Sequence, residues 1–317
     1  MTDGGIDDAA VLADEAVPAG SRVPMGERLD LGRRGTTFVR HAPGPADAPT
    51  VMLLHGWLAT GALNWYRCFE PLGKHFEVLS IDHRGHGRGI RSSRRFRLAD
   101  CADDVAAVLE KRGSSPVIAV GYSMGGPIAQ LLWKRHRSLV DGMVLIATGA
   151  EFVPGNRHRY AASALLVAAA GTRVGTAATW LPSRVVRQVR PARRPTERPE
   201  VLADWGRQEM SKHQSRVMLE AAHAIANYSA RHWIDQIDVP TSVIVTERDT
   251  AVSPNAQLKM AMAIPGAHIN RIPGGHVSCI EPDFGRKVTN ACLDVARRVE
   301  LGYDPHPPGD PGELPDR

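Results

Sequence analysis

The heptapeptide VGYSMGG, Val120 to Gly126, sets a serine between glycines two positions away on either side. An alcohol is a weak nucleophile at neutral pH, so a reactive serine needs an exposed oxygen, a base, a group that orients the base and donors for an oxyanion. Gly121, Ser123 and Gly125 fit the G-x-S-x-G elbow, in which small residues let a strained strand-to-helix turn lift the serine oxygen clear of a sheet. An apolar run, Pro116 to Val120, precedes the turn and a helical pattern follows it. That setting favours the elbow over a plain glycine turn in which Ser123 only caps the next helix. The chemistry in view is acyl transfer through a covalent intermediate.

The elements that must position such a serine are short apolar runs alternating with helical patterns, the signature of a doubly wound, mostly parallel sheet covered by helices on both faces. Strands are expected at Thr36–Arg40, Thr50–Leu54, Phe76–Ile81, Val117–Gly121, Val140–Ala147, Thr241–Thr246 and Ala267–Ile272. Helices are expected at Leu98–Lys111, Gly125–His136, Asn255–Ala263 and Phe284–Leu301, the first with Val105, Val108 and Leu109 at helical spacing. One stretch breaks the alternation. Residues 150–235 are rich in Ala and Arg and divided by prolines, and read as an inserted helical lid. The expected organisation is a loose tail over 1–26, core over 27–149, the lid, core again over 236–302, and a second tail over 303–317.

At 317 residues, with 43% hydrophobic and 23% charged residues, the chain falls among globular domains, with neither disorder nor a membrane-spanning class favoured. The apolar segment Ala161 to Gly175 is interrupted by Gly171 and Arg173 before it reaches the roughly 20 residues a spanning helix needs. The start of the chain has aspartates where a secretory signal has basic residues, so a cytoplasmic location is expected. Cys68, Cys101, Cys279 and Cys292 are far apart with no CxxC pair, which implies reduced structural thiols and no zinc site. A formal charge of +5 does not by itself imply nucleic acid, and none is expected as a partner.

At this point the chain resembles the α/β-hydrolase superfamily over nearly all of residues 27–302, and several ordered motifs carry the resemblance. LLHGW, Leu53 to Trp57, ends a strand where the family has an HG-x turn. The resemblance implies that the backbone N–H groups of Trp57 and Met124 form the oxyanion hole, with His55 packing the turn. DHRGHGRG, Asp82 to Gly89, is similar to the family's D-x-R-G-H-G-x-S turn, with Gly89 where serine is usual. Asp82, Arg84 and His86 are expected to hold that turn. IVTERDTAVSP carries the family's D-x-x-V-x-P pattern and implies Asp249 as the orienting acid, with Glu151 the runner-up. Among thirteen histidines, His276 in IPGGHVSCIEP matches the family's histidine turn through Gly275 and Glu281. His223 and His232, in the lid, read as exposed or structural.

The resemblance therefore implies a lipase-like serine esterase with a catalytic triad of Ser123, Asp249 and His276, the elbow glycines Gly121 and Gly125, and no metal or organic cofactor. Its expected substrate is a hydrophobic small-molecule ester. Carbon–carbon bond hydrolases, thioesterases, acyltransferases and cofactor-free peroxidases use the same triad, and a catalytically silent binding protein is the non-enzymatic alternative. Aspartate nucleophiles of the same fold are disfavoured by Ser123. Two arginine clusters, at 84, 88, 91, 94, 95 and 97 and at 184, 187, 190, 193, 194 and 198, leave three readings open. They are a solvated face, a weak attraction to anionic membrane surfaces, or recognition of an anionic thioester. The oligomeric state is not legible.

Overall fold

The computed structural model describes residues 22–114, 116–152 and 199–304. Most of the expected lid lies outside the described residues, including Leu165 to Val167, Trp180 and the whole second arginine cluster, as do 1–21 and 305–317 of the expected tails.

Among the described residues eight strands form one sheet: β1 (Gly26–Asp30), β2 (Thr36–Ala42), β3 (Thr50–Leu54), β4 (Glu77–Asp82), β5 (Val117–Tyr122), β6 (Val140–Ile146), β7 (Thr241–Thr246) and β8 (His268–Ile272). They lie in the order β1-β2-β4-β3-β5-β6-β7-β8. The pairings of β1 with β2 and of β2 with β4 are antiparallel, and every other pairing is parallel. The expected strands all form, with ends shifted by at most two residues. β1 was not anticipated, because the antiparallel edge strand GERLD is mostly polar and lacks the apolar run that marks a buried strand.

Alternation along each strand builds two layers. Met52 and Leu54 point to the face covered by α3 (Leu98–Arg112) and α4 (Gly125–Arg135), while Val51 and Leu53 point to the face covered by α8 (Phe284–Glu300). Two one-turn helices, α1 (Gly61–Trp65) and α2 (Phe69–Gly73), are too short to show a periodicity and were not anticipated. Trp65 and Phe69 from them nevertheless fill the second layer.

Shortly after β6 the chain meets the segment that leads into β7, where the Ala230 N–H donates to the Ala150 carbonyl at 2.8 Å and Glu151 bridges Ser229. The described helices between β6 and β7, α5 (Pro199–Ser211) and α6 (Ser215–Ala226), dock on the core. Trp205 of α5 meets Tyr66 edge-on, and Val217, Met218 and Ala221 of α6 are buried in the first layer. The helix α7 (Pro254–Ala263) follows β7. No helix among the described residues is long and apolar enough to cross a membrane. None of the four cysteines is in a disulfide.

The turn after β4 is held by the residues expected to hold it. Asp82 accepts the Gly61 and Arg88 amides at 2.8 and 2.9 Å. Arg84 forms a bidentate pair with buried Asp104 at 2.6 and 2.7 Å. Beneath this turn His55 donates from Nδ1 to the Gly56 carbonyl at 2.8 Å and accepts the His83 amide at Nε2 at 3.0 Å. Both ring nitrogens are thereby committed to the neutral form. Burial, partly offset by the Gly56 hydrogen bond, lowers the His55 pKa to about 3. His83 and His86, tilted against the His55 ring, and His213, edge-on to His86, are lowered in the same direction by burial.

Each of these groups binds a proton in the unfolded chain at a pH where the folded protein refuses it, so stability present above pH ~6.5 is lost as the pH falls. Between pH 7.5 and 5, His55 alone should remove about 2 kcal/mol from the unfolding free energy measured in urea. The loss should shrink in His55→Gln. A stability that is flat over this range would contradict the neutral burial.

Candidate active site

The parallel strands direct their C-terminal ends to one edge of the sheet, and β5 pairs with β3 although β4 intervenes in sequence. The winding of the chain reverses there, and the crevice that opens outside the strand ends is where open α/β sheets bind ligands. Ser123 follows β5 and Trp57 follows β3 by three residues, so the two face each other across this crevice.

Ser123 has φ +50°, in the left-handed region that a residue with a side chain seldom occupies. Three hydrogen bonds hold it there. Its N–H donates to the Ile146 carbonyl at 2.9 Å, and its carbonyl accepts the Gly126 N–H at 2.9 Å and the Thr148 hydroxyl at 2.8 Å. The elbow glycines are required by close approach. A Cβ on Gly121 would lie 2.4 Å from the Gly125 carbonyl oxygen, and one on Gly125 would lie 2.0 Å from that of Leu54.

Ser123 Oγ lies 2.9 Å from His276 Nε2, and His276 Nδ1 lies 2.8 Å from Asp249 Oδ2. With Nδ1–H donating to the carboxylate, Nε2 is left as the acceptor for the Ser123 hydroxyl. Asp249 is fully buried at its side chain, and its other oxygen accepts the Ala251 and Val252 amides at 2.8 and 2.9 Å. Burial raises its pKa, but the hydrogen bond and charge of His276, the Val252 amide and the Thr246 hydroxyl outweigh that and hold the carboxyl below its ordinary range. Glu151, the runner-up, forms an ion pair with Arg231 at 3.5 Å and has no bond to His276.

The two expected oxyanion donors flank the serine. A Cβ on Gly56 would sit 3.4 Å from Ser123 Cβ, so the Trp57 amide next to it is at the serine, and Met124 N-caps α4. Neither amide donates a hydrogen bond to any described residue. The Trp57 indole is anchored by its N–H to the Met218 carbonyl of α6 at 3.0 Å. His223 is half-buried against Asn227 and His232 is exposed, and neither reaches Ser123. No group of three or more metal-ligating side chains is placed to hold an ion among the described residues.

Several contributors carry no local signal. Tyr122, fully buried, donates its hydroxyl to the His276 carbonyl at 2.6 Å and pins the histidine loop. Gln257 on α7, fully buried, donates to Thr246 Oγ1 at 2.8 Å, to the Val252 carbonyl at 2.8 Å and to Asp249 Oδ2 at 3.3 Å. Thr246 Oγ1 in turn donates to Asp249 Oδ2 at 2.8 Å. A glutamine on a helix reads as an exposed polar residue, and the available clue was its position eight residues after the aspartate, one turn into the next helix.

Comparison with known proteins agrees with this architecture. The model of the family described as alpha/beta hydrolase fold matches residues 49–283. The chain is 30% identical over 245 residues to the pimeloyl-[acyl-carrier protein] methyl ester esterase of Chromobacterium violaceum, covering 76% of this chain and 92% of that one. Among solved structures it is similar to a hydrolase from Pseudomonas aeruginosa PA01, with TM-score 0.71, 23% identity and 86% and 98% of the two chains covered. It is also similar to the esterase EaEST from Exiguobacterium antarcticum, with TM-score 0.69, 20% identity and 87% and 100% covered.

Gln257 acts on Ser123 only through Asp249 and His276, which makes it a positioning residue. Gln257→Leu should slow labelling of Ser123 by a fluorophosphonate about tenfold, or ~1.4 kcal/mol of barrier. It should also move the acid limb of the labelling profile to higher pH, because Asp249 loses donors that favour its charge. A lowered unfolding midpoint with an unmoved profile would make Gln257 merely structural.

Proposed function

The chain belongs to the α/β-hydrolase fold family, and from that premise we propose that it cleaves carboxylic esters of hydrophobic small molecules through an acyl-enzyme on Ser123. The observation that carries this reading is the unbroken hydrogen-bond chain from Ser123 Oγ through His276 to the buried carboxylate of Asp249. As Oγ attacks the ester carbonyl, its proton passes to His276 Nε2. Asp249 stabilises the imidazolium and keeps the ring in its tautomer. The negative charge that develops on the carbonyl oxygen is taken by the Trp57 and Met124 amides, the second aided by the N-terminal end of α4.

His276 then returns its proton to the departing alcohol and the acyl group stays on Ser123. Water enters, gives a proton to His276 and attacks the acyl carbon, and collapse of the second tetrahedral intermediate releases the acid and restores the Ser123 hydroxyl. By this mechanism the protein groups are Ser123, His276, Asp249 and the two amides, and the one further reactant besides the ester is water. By this reading the described helices of the insertion, α5 and α6, form part of a cover over this site. The support is that α6 meets the turn after β4, with Val217 against Gly85, and anchors Trp57 through Met218.

Wild-type protein should take up a fluorophosphonate at a single serine and release 4-nitrophenol from 4-nitrophenyl butyrate. Ser123→Ala should do neither while keeping the far-ultraviolet circular dichroism of the wild type. Asp249→Asn should lower turnover on the order of 10³–10⁴-fold, since the ring loses its preferred tautomer. Undiminished ester cleavage by Ser123→Ala would remove the proposal.

A further inference from the structure

The strand β3 runs into a loop, Gly56 to Thr60, that carries the Trp57 amide beside Ser123. Leu58, in the middle of this loop, has φ +59°, in the left-handed region that is costly for any residue with a Cβ. A backbone of that kind keeps its shape only where its surroundings hold it from several sides. The core holds the first residue. Gly56 donates its N–H to the buried side chain of Asn64 on α1 at 2.9 Å, and its carbonyl accepts from His55 Nδ1 at 2.8 Å.

Two further holds come from the helices inserted between β6 and β7. The Trp57 indole N–H donates to the Met218 carbonyl of α6 at 3.0 Å. The Thr60 hydroxyl donates to Glu209 Oε2 of α5 at 2.6 Å. Glu209 is fully buried, and its other oxygen takes Lys212. It has no bond to Ser123, Asp249 or His276, and the reaction steps above do not use it. The apolar contacts of α5 with α1, Trp205 edge-on to Tyr66 and Gly206 over Leu63, would tolerate a small slide of one helix along the other. The carboxylate would not, because a shift that uncovered it from Thr60 and Lys212 would leave a charge without partners in a dry interface.

We propose that Glu209 is a positioning residue for the Trp57 amide. Through Thr60 it holds the strained loop in the shape that aims this amide at the serine, so the seating of α5 on the core sets one of the two donors that meet the oxyanion. This role rests on the ester-cleavage reading, because the charge met by the amide is the one that develops in that reaction. Misaiming the amide weakens a hydrogen bond made in the transition state and leaves the apolar contacts of the bound ester in place. The loss therefore falls on kcat and spares KM.

The full-length protein and its variants would be assayed with 4-nitrophenyl butyrate and inhibited with an alkyl trifluoromethyl ketone, which adds to the serine as a tetrahedral oxyanion. Glu209→Leu should lower kcat about tenfold at unchanged KM and weaken the ketone by the same factor. Glu209→Gln keeps an acceptor for the Thr60 hydroxyl and should restore kcat to within about threefold of wild type. Thr60→Val and Thr60→Ser test the same bond from its other end, including the case in which Glu209→Leu does not fold. The valine variant should be slow and the serine variant should not, and the losses of Glu209→Leu and Thr60→Val should not multiply in the double variant, since both remove one bond. A folded Glu209→Leu or Thr60→Val with the kcat of wild type, a Glu209→Gln as slow as Glu209→Leu, or a loss confined to KM with the ketone unaffected overturns this role for Glu209 alone. Wild type that cleaves no ester, or cleaves it equally after Ser123→Ala, removes the ester-cleavage reading and this role with it.

Discussion

The left-handed backbone at Ser123 is the constraint on which the rest of the site depends. Such a conformation costs on the order of 1–3 kcal/mol and persists only where the surroundings over-determine it. Here β6 supplies the Ile146 carbonyl, the following loop supplies the Thr148 hydroxyl, and α4 supplies the Gly126 amide. The start of α4 must then press on the end of β3, where a Cβ at Gly125 would meet the Leu54 carbonyl. The same contact that forces the serine upward therefore brings the Trp57 amide beside it. The elbow and the placement of the two candidate oxyanion amides are two consequences of one packing event.

The acid is held by a different means. A carboxylate stripped of water is costly unless each oxygen is satisfied, and Asp249 meets this with two backbone amides on one oxygen and His276, Thr246 and Gln257 on the other. Gln257 also grips the Val252 carbonyl and accepts the Thr246 amide, so the loop after β7 is clamped to α7. The histidine loop is tied to the acid loop through the Arg248 N–H on the Gly274 carbonyl, at 2.9 Å, and to β5 through Tyr122. His276 thus sits between two loops that cannot move independently, which keeps its two nitrogens aligned with Ser123 and Asp249.

Charge near the turn after β4 is used in two contrasting ways. Arg84 and Asp104 form a buried pair that fixes the turn, extended into a network by Arg34 on Asp104 at 2.7 Å and Asp100 by Arg84 at 3.7 Å. Arg91, seven residues further on, is held instead by the backbone carbonyls of Gly87 and Lys212. Chain neighbours with the same side chain thereby brace one turn in two ways, through a buried carboxylate and through backbone carbonyls.

The sequence by itself determined the strand-turn-helix around Ser123, the order of parallel strands and helices, and which glycines had to be small. Those features depend on periodicity and spacing among residues close along the chain. It also ordered the candidate acids and bases through their resemblance to family turns, while leaving Glu151 open beside Asp249. Tertiary structure alone decided that Asp249 meets His276 while Glu151 meets Arg231, that Gln257 and Tyr122 brace the site, and that Arg84 differs from Arg91. The partners Ser123 and His276 are 153 residues apart, and His276 and Asp249 are 27 apart. Contacts over such separations are set by which strands pair and in what register, and no window of local sequence contains that information.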